Sequence, residues 1–197
     1  NASSPNLSEV CFIILLLSLV SVEAANRFAT CATTCTWDAS NTVMWGTTSG
    51  GTGASVPGSG DAVILDAATC VAGTTCTITV NANITVQSIT MGACTASTAG
   101  CILDFSVNNN NVTLSLAFDG SGTGTRTLNM GDGLWIIQGF NNNTWNYTTI
   151  TGLTHNPNGS TLSFIPSSAT PTGAITFQGN GRSFNVVTHS GVTNAAV

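Results

Sequence analysis

The stretch VPGSGDAVILD, residues 56–66, decides how this chain folds. Pro57 fixes the backbone of a turn, the glycines after it permit left-handed backbone angles, and residues 62–66 alternate as a short strand. A Gly-rich loop can bind phosphate when a helix follows it, but no helical pattern follows here. We interpret the stretch as the entry turn of a β structure whose turn-then-strand pattern recurs along the chain.

The composition indicates a single turn-rich β domain. The 197 residues fit one domain, Thr, Ser, Asn and Gly are abundant, and the apolar residues fall in short runs. A mean hydropathy of +0.30 argues against a disordered chain. Only 6% of the residues are charged and Lys and Arg together number 3, so we expect no nucleic-acid partner, which would need clustered basic side chains.

An apolar run, CFIILLLSLVSV at residues 11–22, precedes the β pattern. It is shorter than the roughly 20 residues that span a bilayer, and the small residues after it suit a cleavage site. We predict a signal peptide over residues 1–24, no stable membrane span, and a secreted or cell-surface protein. A buried N-terminal strand or a retained anchor helix is the alternative, because the flank begins with Asn1 and has no positive charge.

The cysteines beyond this segment fall into three close pairs. An even number of cysteines in an exported chain predicts disulfides, and although six cysteines allow about 15 pairings, the grouping favours local bridges. The predicted bridges are Cys31–Cys35, Cys70–Cys76 and Cys94–Cys101. A zinc site that combines Cys31 and Cys35 with a distant pair is the alternative, although no pair has CxxC spacing.

Residues 25–60 are predicted to form an irregular, disulfide-pinned N-terminal cap. Trp37 and Trp45 either plug the end of the core or offer ring faces to a saccharide, and Trp is usually largely buried. Trp135 and Trp145 are further candidates for saccharide contact. Residues 61–197 are predicted to be repeats of a solenoid, with truncation at the C-terminus left open.

Short strand patterns recur from residue 61 onward, each followed by a Gly- or Asn-rich turn. Ile89, Val112 and Trp135 follow one another at intervals of 23 residues, and Leu103 and Thr127 are 24 residues apart. Periods of roughly 20 to 50 residues indicate stacked coils. This predicts an all-β protein with a parallel β-helix, and the alternative is an antiparallel β-sandwich or jelly roll.

Three segments carry a family resemblance: VPGSGDAVILD at 56–66, NITVQSITMGA at 83–93 and ITFQGNGRSFNVVTHSG at 175–191. They resemble motifs of secreted bacterial and phage-associated right-handed parallel β-helix surface proteins, the pectin-lyase-like solenoids. There a Pro-x-x-Gly-Asp-x-Val segment opens the solenoid and a Phe-x-Gly-x-Gly-x-x-Phe/Tyr-Asn segment marks a further coil. The resemblance covers about residues 35–190. It implies a right-handed solenoid in an extracellular, adhesive or polysaccharide-associated protein, and it implies no catalytic residue.

No catalytic constellation emerges from the titratable residues. Asp61 and Asp66 point to opposite faces of one strand, whereas a glycosidase needs two carboxylates beside one bond. Arg126 and Arg182 are the basic candidates for a polysaccharide lyase, but neither has an acidic cluster near it in sequence. We therefore expect both arginines to point outward from a coil.

The remaining polar motifs have ordinary structural interpretations. His155 and His189 have no second His or Cys at ligand spacing, so we interpret them as loop or surface histidines. Calcium is a weak candidate cofactor at two oxygen-rich loops, 119–124 and 129–133, whose acid count favours ordinary turns. The Asn run at 108–111 predicts a corner with left-handed Asn residues or an Asn ladder.

Three functions remain compatible with the sequence. The first is a non-enzymatic, secreted or cell-surface β-solenoid that acts as an adhesin, carbohydrate binder or structural surface protein. Its partner would be an extracellular polysaccharide or a cell-surface glycan. The second is a self-assembling extracellular filament subunit whose partners are copies of itself. The third is a polysaccharide lyase or hydrolase.

Overall fold

The computed structural model of this protein describes residues 24–92, 94, 100–139, 144–166 and 175–190. These residues form an all-β structure, and none of them belongs to a helix that could cross a bilayer. The predicted signal peptide lies, apart from its last residue, outside the described residues. The strands are β1 (Asn26–Ala29), β2 (Thr34–Trp37), β3 (Trp45–Gly46), β4 (Ala62–Ile64), β5 (Cys76–Val80), β6 (Ile84–Thr90), β7 (Cys101–Asp104), β8 (Val112–Asp119), β9 (Arg126–Asn129), β10 (Leu134–Ile137), β11 (Trp145–Asn146), β12 (Leu153–Asn156), β13 (Thr161–Phe164), β14 (Phe177–Gln178) and β15 (Val186–His189).

The strands stack in parallel, one coil on the next, into a β-solenoid of about 4 turns. Each strand pairs with the equivalent strand of the next coil, and among the described residues the one antiparallel pair is β1 with β3. The predicted solenoid is therefore confirmed. The sandwich alternative is wrong, because hairpin-connected sheets would pair consecutive strands in antiparallel fashion.

Strand register divides the solenoid into three faces. The pairing of β6 with β8 shifts between Val86 and Ser88, so both strands turn a corner there. Face 1 consists of residues 84–86 and 112–114 with β10, β13 and β15. Face 2 consists of β1, β4, residues 88–90, residues 117–119, β11 and β14. Face 3 consists of β2, β5, β7, β9 and β12.

Each face sends a column of apolar side chains into the interior. On face 2, Val63, Ile89, Phe118 and Trp145 are in register and fully buried. Alternation along each strand produces these columns, because successive side chains point to opposite sides of the sheet. Residues stacked one coil apart thus form the core.

The coil length varies more than the sequence pattern suggests. The pairing of Val112 with Trp135 is confirmed, but Ile89 pairs with Phe118 rather than with Val112. The predicted equivalence of Ile89 and Val112 is wrong because the corner at the β6 bulge places them on different faces. Leu103 likewise pairs one residue away from the prediction, with Leu128.

All four tryptophans lie in the interior. Trp37 is 1% exposed, and Trp45, Trp135 and Trp145 are completely buried. Trp37 packs edge-on against Trp45 with ring centroids 4.9 Å apart, and Trp145 stacks on Phe118 at 4.5 Å. A saccharide contact needs an exposed ring face, which none of the four has here, so burial favours a packing role for each of these candidates.

The N-terminal lead-in contains β1, β2 and β3. β1 extends face 2 beside β4, β2 extends face 3 beside β5, and β3 folds back along β1. Asp61 in the entry turn holds these parts together: its carboxylate accepts the Ala25 N–H at 3.2 Å and the Gly58 N–H at 2.9 Å. It also forms an ion pair with Arg27 at 3.5 Å. Residues 56–66 therefore fix the first coil through Asp61.

The three predicted disulfides are present: Cys31–Cys35, Cys70–Cys76 and Cys94–Cys101. Each disulfide closes a corner before or within a strand of face 3. The backbone of Cys31 also forms an isolated parallel β-bridge with the backbone of Cys70. One bridge lies in the lead-in and two lie in the coils after it. The bridges indicate an oxidising, extracellular setting.

Candidate functional site

Face 3 presents a regular polar surface. Two columns of side chains point outward in register. The first column is Thr34, Thr77, Ile102, Thr127 and Thr154, and the second is Thr36, Thr79, Asp104, Asn129 and Asn156. The Asn156 side-chain amide donates a hydrogen bond to the Asn129 Oδ1 at 2.7 Å, which links these two members of the second column. Face 3 is therefore an array of hydroxyl and amide groups, interrupted on β7 by the apolar Ile102 and the Asp104 carboxylate.

The aspartates of the described residues all have structural roles. Four of them accept the backbone N–H two residues further on, at 2.8 to 2.9 Å, and so close a corner of the coil: Asp38, Asp66, Asp104 and Asp119. Asp132 accepts the Gly159 N–H at 2.8 Å, one coil further along. With Asp61 in the entry turn, each of the six carboxylates thus stabilises backbone.

Arg126 is buried inside the solenoid, and the expectation that it points outward is wrong. It occupies the inward column of face 3 that contains Cys76 and Cys101, at intervals of 25 residues. Its guanidinium donates six hydrogen bonds of 2.6 to 3.0 Å, all to backbone carbonyls. The acceptors are Gly120, Gly122, Gly124, Thr149 and Thr151. The cation is satisfied by carbonyl dipoles from two successive coils, although burial lowers its pKa.

This arrangement bears on the weak calcium candidate at residues 119–124. The carbonyl oxygens of that loop converge on the Arg126 guanidinium, so the protein's own cation uses the ligands that a metal would need. At the second loop, the Asp132 carboxylate is engaged by Gly159. Within the described residues, no group of three or more His, Cys, Asp or Glu side chains could hold a metal.

Tyr147 and His155 form a polar pair in the aromatic core beside Arg126. The Tyr147 hydroxyl and the His155 Nδ1 are 2.9 Å apart, and Phe184 packs on the His155 ring at 4.7 Å. Burial, followed by the charge of Arg182, lowers the pKa of His155 to about 4, and burial raises the pKa of Tyr147. The interpretation of His155 as a loop or surface histidine is therefore wrong, because it lies on β12 with its ring directed inward.

Arg182 and His189 lie in the last described coil. Arg182 is half-buried and donates a hydrogen bond to the Leu153 carbonyl at 2.9 Å, so it also fails to point freely outward. His189 is exposed on β15, as predicted. Neither residue approaches a carboxylate within ion-pairing distance, since Arg27 with Asp61 is the ion pair of the described residues.

A cleft of about 290 Å³ opens beside the first strand segment of face 1. It lies between the entry turn and the corner before β6, and its walls are Trp37, Asp38, Ala39, Val56, Pro57, Ala82, Asn83, Ile84 and Thr85. The lining combines one carboxylate, one amide and a hydroxyl with apolar side chains and contains no basic residue. Pockets of this type are the usual places for small ligands.

The comparisons with known proteins leave the family open. No protein-family model, curated protein or solved structure matches this chain. The stacked parallel coils agree with the resemblance to β-helix proteins at the level of architecture. Membership of the pectin-lyase-like group is therefore a proposal.

Sequence reasoning missed the inward position of Arg126 and the cleft for different reasons. The position of Arg126 could have been found, because it follows Cys76 and Cys101 at the same interval of 25 residues. The Asn corner was found: Asn109 has a left-handed φ of 51°, and the Asn83 and Asn111 side chains accept N–H groups one coil further along. The cleft has no such signal, because it depends on which strand edge lacks a neighbour.

Proposed function

We propose that this protein is a non-catalytic, extracellular β-solenoid that binds a polysaccharide on face 3. The observation that carries the proposal is the pair of outward columns on that face. Neighbouring strands repeat about every 4.8 Å, so hydroxyl and amide groups recur at that interval along the axis, except at β7, which contributes Ile102 and Asp104. An extended chain of sugar hydroxyls can bond to successive groups of such an array.

The low charge of the array favours a neutral polysaccharide. Asp104 is the one charged member of the two columns, and Ser106 already engages its carboxylate through N–H and hydroxyl groups at 2.8 and 2.6 Å. Secretion, adhesion and membership of the β-helix surface proteins belong to the same proposal, and self-assembly into filaments stays a prediction.

Retention on insoluble polysaccharides tests the proposal. The wild-type protein should sediment with at least one of cellulose, chitin, xylan, mannan or starch. Thr127→Arg, on the central strand β9, should lower the bound fraction about tenfold or more, because a long charged side chain covers the array. Thr113→Arg is the matched control, since Thr113 points outward from a central strand of face 1.

Two results would contradict the proposal. The first is a wild-type protein that stays in the supernatant with every polysaccharide, and the second is equal loss of retention in the two arginine variants. Release of reducing ends or unsaturated products from a retained polysaccharide would instead show that the protein is an enzyme.

A further inference from the structure

The cleft beside face 1 contains an unpaired stretch of strand edge. In a parallel sheet, alternate residues direct both their N–H and C=O groups to opposite edges. The Ile84 N–H donates to the carbonyl of Asn111, the residue just before β8, so the N–H and C=O of Thr85 point the other way, into the cleft. On that side β4 pairs with residues 88–90, and no described strand reaches Thr85.

Two side chains add polar groups with fixed orientations. The Asp38 Oδ1 accepts N–H groups from Ser40 and Asn41, each at 2.8 Å, which leaves Oδ2 for a ligand. Hydrogen bonds, first from the Ser40 backbone, lower the pKa of Asp38, so its carboxylate is ionised at neutral pH. The Asn83 Oδ1 accepts the Asn111 N–H at 2.8 Å, which leaves the Asn83 NH₂ group for a ligand.

The remaining walls are apolar, and they define the chemical class of the ligand. Val56, Pro57 and Ala82 face these polar groups across the cleft. A sugar ring has the matching properties, because it combines C–H surface with hydroxyls that both donate and accept hydrogen bonds. The lone carboxylate, without a basic neighbour in the lining, disfavours uronic acids and other anions. The volume is at the lower end of ligand pockets, which fits a single ring.

We propose that the cleft binds one neutral sugar residue. Asp38 Oδ2 and the Thr85 C=O accept hydrogen bonds from its hydroxyls, and the Asn83 NH₂ and the Thr85 N–H donate to its oxygens. The inference rests on the proposed carbohydrate-binding function and extends it, because the cleft would hold a chain end or a side branch while face 3 holds the extended polymer.

Titration with small glycosides, followed by NMR or calorimetry, tests the cleft separately from face 3. The probes are the methyl glycosides of glucose, galactose, mannose and xylose, with galacturonate as the anionic comparison. At least one neutral glycoside should bind saturably, and galacturonate should bind at least tenfold more weakly. Absence of saturable binding by all four neutral glycosides overturns the inference.

Matched variants assign any binding to the cleft. Asp38→Asn keeps the corner hydrogen bonds and removes the charge, and Asn83→Asp keeps the ladder acceptor and removes the NH₂ donor. Each should weaken binding about tenfold or more, because hydrogen bonds to charged or buried groups are involved. Asp66→Asn and Asn111→Asp make the same changes at an equivalent corner and ladder position outside both the cleft and the columns of face 3, and both should bind like the wild type.

The outcomes separate the cleft from the wider function. Equal affinity in the cleft variants and their controls overturns the cleft inference, even when the polysaccharide is still retained. If Thr127→Arg loses retention on the polysaccharide and Asp38→Asn does not, the result supports binding of the polymer by face 3 alone. Should either cleft variant fail to fold, as seen by circular dichroism, Ala39→Trp replaces it, because this exposed alanine lines the cleft and a bulky ring there should abolish glycoside binding.

Discussion

Arg126 shows how one residue can replace a disulfide at an equivalent position. In two earlier coils, Cys76 and Cys101 tie the start of the face 3 strand to the preceding corner. Arg126 stands in register with them and ties its own corner by hydrogen bonds to Gly120, Gly122 and Gly124. A Cβ atom at Gly120 would collide with the Tyr147 ring, so glycine there permits the close approach of this corner to the core.

Replacing Arg126 should be among the most destabilising substitutions in the chain. Arg126→Met leaves the carbonyls of Gly120, Gly122, Gly124 and Thr151 without this donor, whereas the Thr149 carbonyl keeps the Gly122 N–H. We expect the free energy of unfolding to fall by about 3 kcal/mol or more. Arg126→Lys should lose less, because an ammonium retains the charge but has three donors. Urea denaturation measures both, with Arg182→Met as a control that should lose about 1 kcal/mol. A loss below about 1 kcal/mol in Arg126→Met would contradict the cross-linking role.

His155 should make the stability depend on pH. Its pKa is about 4 in the folded protein and near 6.5 when exposed. As pH falls below 6.5, His155 takes up a proton in the unfolded chain before it does so in the folded protein. The contribution of neutral His155 to the free energy of unfolding is therefore present above pH 6.5 and is lost by about pH 4. The melting temperature should therefore fall across that window. His155→Gln should flatten this part of the profile, whereas the exposed control His189→Gln should keep it; identical profiles for the two variants would refute the assignment.

At the scale of elements, the sequence predicts strands better than corners. The alternation of Thr and Ile in β5 predicts its inward and outward residues directly, and the structure follows it. The corner within β8 has no such signal, because Ser115 and Leu116 form it without Gly or Pro. The sequence pattern therefore predicts one continuous strand there, and the predicted equivalence of Ile89 with Val112 is wrong for that reason.

The candidate site could be predicted only in part. The outward Thr residues of face 3 follow from strand alternation, and their alignment follows once the interval of 25 residues is recognised. The cleft could not be predicted, because it forms where Val56 and Pro57 pass a strand edge that no other strand covers. The buried tryptophans show the same limit: the sequence offers aromatic residues, and only packing decides whether their faces are exposed.

At the scale of the whole molecule, covalent cross-links are confined to the N-terminal coils. Each disulfide closes a loop of four to seven residues, so each contributes about 2 to 3 kcal/mol by the chain-entropy model. Reduction under native conditions should therefore loosen β2, β5 and β7 while β9 and β12 keep their protection. Hydrogen exchange with and without reductant measures this difference. Uniform loss of protection along face 3 would show instead that the solenoid opens as a single cooperative unit.

The carbonyl contacts of Arg126 have a mechanical consequence. The disulfides close loops within a coil, so a force that peels one coil from the next need not break any of them. Arg126 belongs to one coil but also bonds to Thr149 and Thr151 in the next. Pulling those two coils apart must rupture these bonds together with the strand pairing of β9 and β12. The middle of the solenoid, rather than its disulfide-rich end, is thus where we expect the greatest resistance to peeling along the axis.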